Sequence, residues 1–571
     1  MGLKSIGYVM LFSSIFTFLV GCDVDKKNEE SEKGAVITDS AMVVTAHPLA
    51  TQVGVHILRE GGNAFDAAVA VQFALTVVYP RAGNIGGGGF AVFRLTDGEV
   101  GSLDFREKAP KAAMRHMYLD STGNVVANKS KKGIFSVGIP GTIKGMEALQ
   151  RKYGNLKWDD IIAPSIGLAL YGFPLTENEA TVLNRYRADF EKLNGADNPY
   201  QKEVEWKAGD SVTYPVLAET LFRIGEKGSR EFYRGLAAKR IVKESQKRGG
   251  LITLEDMHDY EVVWRKPVEA QIGEFRVIAM GPPSSGGMAM IQLLKGASFF
   301  DIKQYAHNSA TAIHLMTELE RRVFADRATY LGDPDFYDVP QKMLLSDTYL
   351  KERFADIDLK TPTKSSDIKE GSVEIIESHE TTHYSIVDQW GNAVSITTTL
   401  NGNFGSKVLV SDAGFFLNNE MDDFSIKPGV PNQYGLIGGE ANSIAPEKRM
   451  LSSMSPTIVE KNGALWMVVG TPGGSTIITT TYQTVQNAMS YGMTMQESVN
   501  ATKTHSQWLP DIIHLEEGKM DTTVVDSLVQ MGHKVEYWKV LGKMNCIMIL
   551  ENGELEGAPD YLRGGNNAAG F

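Results

Sequence analysis

Hydrophobic and polar positions change their period several times along the chain. An apolar run from Ile6 to Val20 follows the cationic Lys4, and a charged stretch without periodicity, Asp23–Lys33, comes after it. Ala41–Ala46 reads as a strand, followed by helical patterns over His47–Arg59 and Ala64–Val78. Gly61-Gly62 supplies the stop between them and Asn63 the next cap. The glycine-rich Gly83–Phe90 leads into a strand at Ala91–Arg94, and Gly101–Glu107 alternates as a further strand. Residues 140–260 read as mostly helical, with turns at Gly154-Asn155 and Gly172-Phe173-Pro174. A second glycine-rich loop, Gly281–Gly287, precedes an amphipathic helix from about Ser309 to Tyr330. Leu315, Leu319, Val323 and Phe324 form its apolar face, and Glu318, Glu320, Arg321 and Arg322 read as solvated or paired charges. Ser365–Ser378 is polar and reads as an exposed loop. Tyr384–Asp388, a Gly391-Asn392 turn and Ala393–Thr399 then predict a β-hairpin. Phe415–Leu417, Leu465–Val469 and Ile547–Leu550 are further strand candidates, with a second hairpin turn at Asn552-Gly553. A helix to about Met489 follows Pro472-Gly473-Gly474-Ser475.

The first apolar run is shorter than the roughly 20 residues that a spanning helix needs, and reads as an export signal over residues 1–21. It ends in Leu19-Val20-Gly21-Cys22, which resembles the lipobox of bacterial lipoproteins. The resemblance implies cleavage before Cys22, lipid on its sulfur and a membrane-anchored protein facing the periplasm or the cell exterior. Residues 22–34 would then be a disordered tether. Cys546 has no partner left and reads as a small buried apolar residue.

At 571 residues the length prior allows two to four domains. A formal charge of −12 argues against nucleic acid, which needs a basic patch. Two cysteines exclude a disulfide framework, and the scattered histidines have no metal-ligand spacing. No metal or organic cofactor is expected. Gly86–Gly89 is not a phosphate loop, because no GK[ST] follows and a strand rather than a helix comes next; tight backbone packing against another sheet is the better reading.

Thr381, at the entry to the hairpin, can carry chemistry if the bond after Glu380 is cut. Its hydroxyl would attack the Glu380 carbonyl, shift the acyl group from nitrogen to oxygen, and leave an ester for water. The freed α-amine, with a pKa of about 7.7–8.0, then serves as the base for the same hydroxyl. On composition alone, plain strand threonines are by far the better reading of Thr381-Thr382.

The motifs Thr381-Thr382-His383-Tyr384-Ser385, Thr399-Leu400-Asn401, Asn418–Phe424, Leu451–Thr457 and Pro472-Gly473-Gly474, with Asn84–Phe90 and Asp104–Glu107 upstream, occur in order. In them the chain resembles the γ-glutamyltransferases (γ-glutamyltranspeptidases) of the N-terminal nucleophile hydrolase superfamily, from about Val43 to the C-terminus. The resemblance implies Thr381 as nucleophile, Thr399 assisting it, and Gly473 and Gly474 as oxyanion donors. It implies Arg106, Ser452 and Ser453 on the substrate α-carboxylate, and Asn401, Glu420 and Asp423 on its α-ammonium. Pro428–Gly439, with Tyr434, resembles a lid loop. Pro559 and Phe571 depart from the family pattern.

The fold so implied is α+β, a four-layer αββα sandwich of two stacked, mainly antiparallel sheets. Residues 35–380 would form a large subunit and 381–571 a small catalytic one, held together as a heterodimer. Glutathione or another γ-glutamyl compound would be the donor, and water, an amino acid or a peptide the acceptor. A cephalosporin-type acylase remains an alternative, against which Arg106 and Asp423 argue, since its acyl donor lacks the amino-acid head. An uncleaved γ-glutamyl-peptide-binding lipoprotein is a second, and a structural envelope protein a third that leaves the polar set unexplained.

Overall fold

In a computed structural model of the chain, two seven-stranded sheets lie face to face. The structure describes residues 34–368, 381–433 and 435–571. The expected signal, Cys22 and nearly all of the tether, the end of the 365–378 loop, Glu380 and Tyr434 lie outside the described residues.

One sheet runs Asn567–Gly570, Met42–Thr45, Thr382–Val387, Ala393–Thr399, Gly88–Arg94, Val100–Asp104, Val263–Arg265. The other runs Val36–Thr38, Leu555–Pro559, Asn545–Ile549, Ala464–Val469, Thr457–Lys461, Phe275–Ala279, Val268–Ile272. Every pairing in both is antiparallel. Met42, Val44, Phe90, Val92, Ile458, Val468 and Ile547 fill the space between the sheets. Helices including Pro48–Arg59 and Ala64–Val78 cover the outer face of the first sheet. Gly286–Phe299 and Thr476–Tyr491 cover the second, with Ala310–Tyr330 packed on them. This is the α+β, αββα sandwich that the sequence resemblance implies. Both ends of the described chain share its sheets, so the length builds one sandwich instead of several bodies.

Local signals explain most boundaries. Ala64–Val78 is buried along its whole length, and Asn63 with Asp66 forms a capping box. Burying each of its large apolar side chains stabilises the fold by about 1.5–3 kcal/mol. Its polar Gln72 is satisfied at both ends: Nε2 donates to the Asn84 carbonyl at 2.8 Å, and Tyr384 donates its hydroxyl proton to Oε1 at 3.1 Å. The glycine run packs tightly, but against its own sheet instead of another. A Cβ on Gly87 would sit 2.0 Å from the Thr399 carbonyl oxygen and one on Gly89 2.4 Å from that of Thr397, both on the strand paired with Gly88–Arg94.

Three expectations are sharpened by the structure. On the helix Ala310–Tyr330, capped by Ser309, the charges are paired and not solvated. Glu318, Glu320, Arg321 and Arg322 are all buried, because residues 356–365 and 506–533 close over that side. Glu318 ion-pairs with Arg321 and, at 2.7 Å, with Arg322. Burial pushes the Glu320 carboxyl well above the usual carboxylate range. Second, the Ser365–Ser378 loop opens on a buried residue, Ser365, although Ser366 and Asp367 are exposed as expected. The Ser365 N–H donates to Asp511 and its carbonyl accepts from the Trp508 indole. Third, the Gly281–Gly287 loop does not end before the next helix, since Gly286 is the first residue of Gly286–Phe299. Cys546 is buried as expected, and burial pushes its thiol pKa up.

Candidate active site

Thr381 is the residue immediately before the strand Thr382–Val387, whose pairing with Ala393–Thr399 starts at Thr382 opposite Thr398. The hairpin brings the far end of the second strand back beside the first. Thr381 Oγ1 thereby lies 3.5 Å from Thr399 Oγ1, which also accepts the Asn401 N–H at 2.7 Å. Asn84 holds Thr399 from behind, donating to its carbonyl at 2.9 Å. His383, two residues on, is engaged by Thr397 and Ser385 at its two ring nitrogens, and burial lowers its pKa to about 3. It is therefore a neutral packing group at working pH and not the base for Thr381.

Thr381, Thr399, Asn401, Arg106, Glu420, Asp423, Ser452, Ser453 and Gly474 line one cavity of about 320 Å³. Gly473 and Gly474 have φ of 141° and 57°, a backbone that favours glycine, and they lead into the N-terminus of Thr476–Tyr491. Of the sequence-predicted catalytic and substrate-binding residues, all line this cavity except Gly473, which adjoins Gly474, and Tyr434, which like Glu380 and Cys22 lies outside the described residues.

Arg106 stands two residues beyond the strand Val100–Asp104 and is gripped through its backbone: its N–H donates to Asp104 and its carbonyl accepts the Tyr260 hydroxyl. Its guanidinium is ion-paired with Glu420 at 2.6 Å, Asp423 at 2.6 Å and, more loosely, Glu107 at 3.5 Å. Burial disfavours its charge, but these three carboxylates outweigh that and hold it protonated. Burial in turn pushes all three carboxyls up, Glu107 to about 8. Such an acid excess around one guanidinium suits a ligand that brings its own cation.

Ser452 and Ser453 are held by the second glycine-rich loop. Ser285 donates both its N–H and its hydroxyl to the Ser452 carbonyl, at 2.8 and 2.6 Å. A Cβ on Gly286 would meet Ser455 Oγ at 2.1 Å. The segment corresponding to the lid folds over the acid end: Asn432 donates to Asp423, Gln433 N–H donates to Asp422, and Leu436 lines the cavity.

The sequence reasoning missed Arg327, which lines the same cavity and is buried. A signal existed. The apolar stripe Leu319, Val323, Phe324 continues at helical spacing onto Arg327, so an arginine was due on the inward face. Glu107 was visible in its motif but had no role.

A family model described as Gamma-glutamyltranspeptidase matches residues 50–570. The chain belongs to the gamma-glutamyltranspeptidase family. Among its relatives, the "Glutathione hydrolase proenzyme" of Escherichia coli (strain K12) is 44% identical over 549 residues, 95% of this chain and 94% of that protein. The protein of the same name from Bacillus subtilis (strain 168) is 36% identical over 578 residues, 98% of this chain and 96% of that one. In structure, Helicobacter pylori gamma-glutamyltranspeptidase aligns at 41% identity with a TM-score of 0.56, covering 62% of this chain and 99% of that chain. Cephalosporin acylase from Bacillus halodurans aligns at 25% identity with a TM-score of 0.82, covering 96% of this chain and 99% of that one. The gamma-glutamyltranspeptidase family thus shares its scaffold with an acylase.

Proposed function

We propose that this chain is an autoprocessed γ-glutamyltransferase and glutathione hydrolase with Thr381 as its nucleophile. The observation that carries the reading is the position of Thr381 Oγ1, 3.5 Å from Thr399 Oγ1 and in one cavity with Arg106, Asn401, Glu420, Asp423 and Gly474. The name that these relatives carry, glutathione hydrolase proenzyme, fits both the donor and a maturation step.

Maturation begins when Thr381 Oγ attacks the Glu380 carbonyl carbon. The C–N bond breaks, an ester forms, and water cleaves it to a Glu380 carboxylate and a free Thr381 amine. In turnover that amine accepts the Oγ proton as Oγ attacks the γ-carbonyl of the donor. The carbonyl oxygen becomes an oxyanion facing the backbone at Gly473 and Gly474, and removing one such donor typically costs about 10²–10³ in rate. The amide nitrogen leaves with the proton, and a γ-glutamyl ester remains on Thr381. Water then releases glutamate, or an amino acid or peptide amine takes the group. Asn401, Glu420 and Asp423 receive the donor's ammonium, and Arg106 grips its carboxylate with hydrogen bonds added by Ser452 and Ser453. Residues 35–380 and 381–571 would remain together as a heterodimer, with Tyr434 in the lid that favours amine acceptors by keeping water out.

The test is N-terminal sequencing of the smaller fragment combined with release of product from a γ-glutamyl anilide. The wild type yields a fragment starting at Thr381 and turns over; Thr381→Ala does neither. A Thr381→Ala protein that still matures or turns over would overturn the assignment. The acylase reading is favoured by the structural alignment and disfavoured by the acid cluster; it requires comparable rates on an acyl amide lacking the ammonium. Export and lipid anchoring at Cys22 complete the proposal and rest on the N-terminal sequence pattern. Labelling with radioactive palmitate, lost in Cys22→Ala, tests them.

A further inference from the structure

Two adjacent glycines cannot aim their own N–H groups. Gly473 and Gly474 stand at φ 141° and 57°, and glycine moves between backbone conformations more freely than any other residue. A donor that must meet an oxyanion at the moment of reaction has to be held in place beforehand. Both glycines are buried, and among the described residues neither N–H donates a hydrogen bond to any acceptor. Any restraint on these two donors has to act on the opposite side of their peptide groups.

Such a restraint is present on each. A trans peptide is planar, so its C=O and N–H point in opposite directions and fixing one fixes the other. The Pro472 carbonyl shares a peptide unit with the Gly473 N–H, and the Gly473 carbonyl shares the next with the Gly474 N–H. Thr471 donates its hydroxyl to the Pro472 carbonyl at 2.8 Å. Thr476 donates its hydroxyl to the Gly473 carbonyl at 2.8 Å, and its N–H adds a second bond there at 3.0 Å. The Thr471 hydroxyl also accepts the Lys543 N–H at 2.7 Å, which leaves its own proton for Pro472. Both threonines are fully buried, so water does not compete for either hydroxyl. Packing is close on both: a Cβ on Gly473 would lie 2.4 Å from Thr476 Oγ1, and one on Gly542 would lie 3.0 Å from Thr471 Oγ1.

We propose that Thr471 and Thr476 are positioning residues of the oxyanion site, each clamping one peptide carbonyl so that the N–H behind it faces the oxygen that becomes negative. This rests on the reading of Gly473 and Gly474 as oxyanion donors and deepens it. Thr471 aims the Gly473 N–H through the Pro472 carbonyl, and Thr476 aims the Gly474 N–H through the Gly473 carbonyl. Each bond also polarises its peptide, since a carbonyl that accepts a hydrogen bond makes the N–H of the same unit a stronger donor. The two clamps come from different elements. Thr471 follows the strand Ala464–Val469, and Thr476 opens the helix Thr476–Tyr491. Neither threonine lines the cavity of Thr381, so their effect falls on the chemical step and leaves the binding of the amino-acid head untouched.

The test measures kcat and KM on a γ-glutamyl anilide, and inhibition by glutamate, for wild type, Thr471→Val, Thr471→Ser, Thr476→Val and Thr476→Ser. Wild-type turnover checks the γ-glutamyl reading separately, and Gly474→Ala checks the glycines as donors whatever the threonines do. Each Val variant should lose about 10- to 100-fold in kcat, part of the 10²–10³ that removal of a whole donor costs. KM and the glutamate inhibition constant should stay as in wild type, because an interaction made only in the transition state lowers kcat and kcat/KM together. Each Ser variant keeps the hydroxyl and should recover most of the rate. Val variants that keep their kcat, that lose no more than the Ser variants, or that weaken glutamate binding as much as they slow turnover would overturn the proposal. If a Val variant does not mature, its crystal structure in a Thr381→Ala background decides. A peptide at 472–474 rotated from its wild-type orientation supports the clamp, and an unchanged peptide ends it.

Discussion

Replacing Glu107 with Gln should make the folded protein more stable, and increasingly so as pH rises from 5 to 8. Glu107 is fully buried, its two carboxylate oxygens have no hydrogen-bond donors, and its contact to Arg106 is the loosest of three. Burial is the leading reason that its pKa stands at about 8 instead of 4.5, with Arg106 opposing and Asp423 reinforcing the rise. Below pH 4.5 the carboxyl is protonated whether the chain is folded or not, and Glu107 costs nothing. As pH climbs, the unfolded chain ionises Glu107 while the folded one keeps the proton, so the wild type loses about 1.4 kcal/mol per pH unit relative to the variant. The difference should reach about 1 kcal/mol at pH 5 and about 3 kcal/mol at pH 7, and level off above pH 8, where both states are ionised. Charge counting gives the same sign. Three carboxylates against Arg106 and the nearby Arg327 leave one negative charge over, and a retained proton cancels it. The assay is guanidinium unfolding of Glu107→Gln and its parent at pH 5, 6, 7 and 8, both in a Thr381→Ala background to keep one chain. Parallel pH dependences would refute the reasoning, because the retained proton would then lie elsewhere.

Thr399→Val should leave the Asn401 N–H without its acceptor and Thr381 without its neighbouring hydroxyl. A stability loss of about 1–3 kcal/mol in thermal melts and slower maturation on gels are expected. Gly474→Ala places a side chain at φ 57° beside the nucleophile, and kcat on the anilide should fall by about 10²–10³ as the oxyanion donors shift. The buried Cys546, with its thiol pKa raised, should resist iodoacetamide in the native protein and react only after denaturation, as read by mass spectrometry.

Much of this was legible because local signals and tertiary packing agree. The hairpin around Gly391-Asn392 appears as Thr382–Val387 and Ala393–Thr399 in full register, and Ala64–Val78 has its expected bounds with Asn63 as cap. The chemical set around Thr381 was legible only through ordered motifs, since Arg106 and Asp423 are 317 positions apart and no periodicity relates them. Charge was legible only as an alternative. Glu318, Arg321 and Arg322 read as solvated or paired, and they are paired because Asp356, Thr363 and Asp511 close over them. Arg327 belonged to the same helix and was lost for the same reason. A sequence shows where a charge sits on a helix, but whether water or another segment covers that face is decided by chain hundreds of residues away.

On the proposed reading, the placement of Thr381 resolves a conflict that a self-cutting nucleophile must face. A residue within a central strand is held rigidly, but its N–H and carbonyl belong to the ladder and cutting beside it would cost pairing. A residue in a loop is free to be cut but poorly aimed. Thr381 stands one position before the ladder begins at Thr382, on a strand flanked by Met42–Thr45 on one side and Ala393–Thr399 on the other. Scission before Thr381 therefore removes no rung of this ladder, while the rungs from Thr382 onward keep the new terminus within reach of Thr399. Because one flanking strand lies upstream of the cut and the other downstream, the sheet itself ties the two products together. The same geometry explains why the freed amine can serve as base: it is tethered by the strand and not consumed by it.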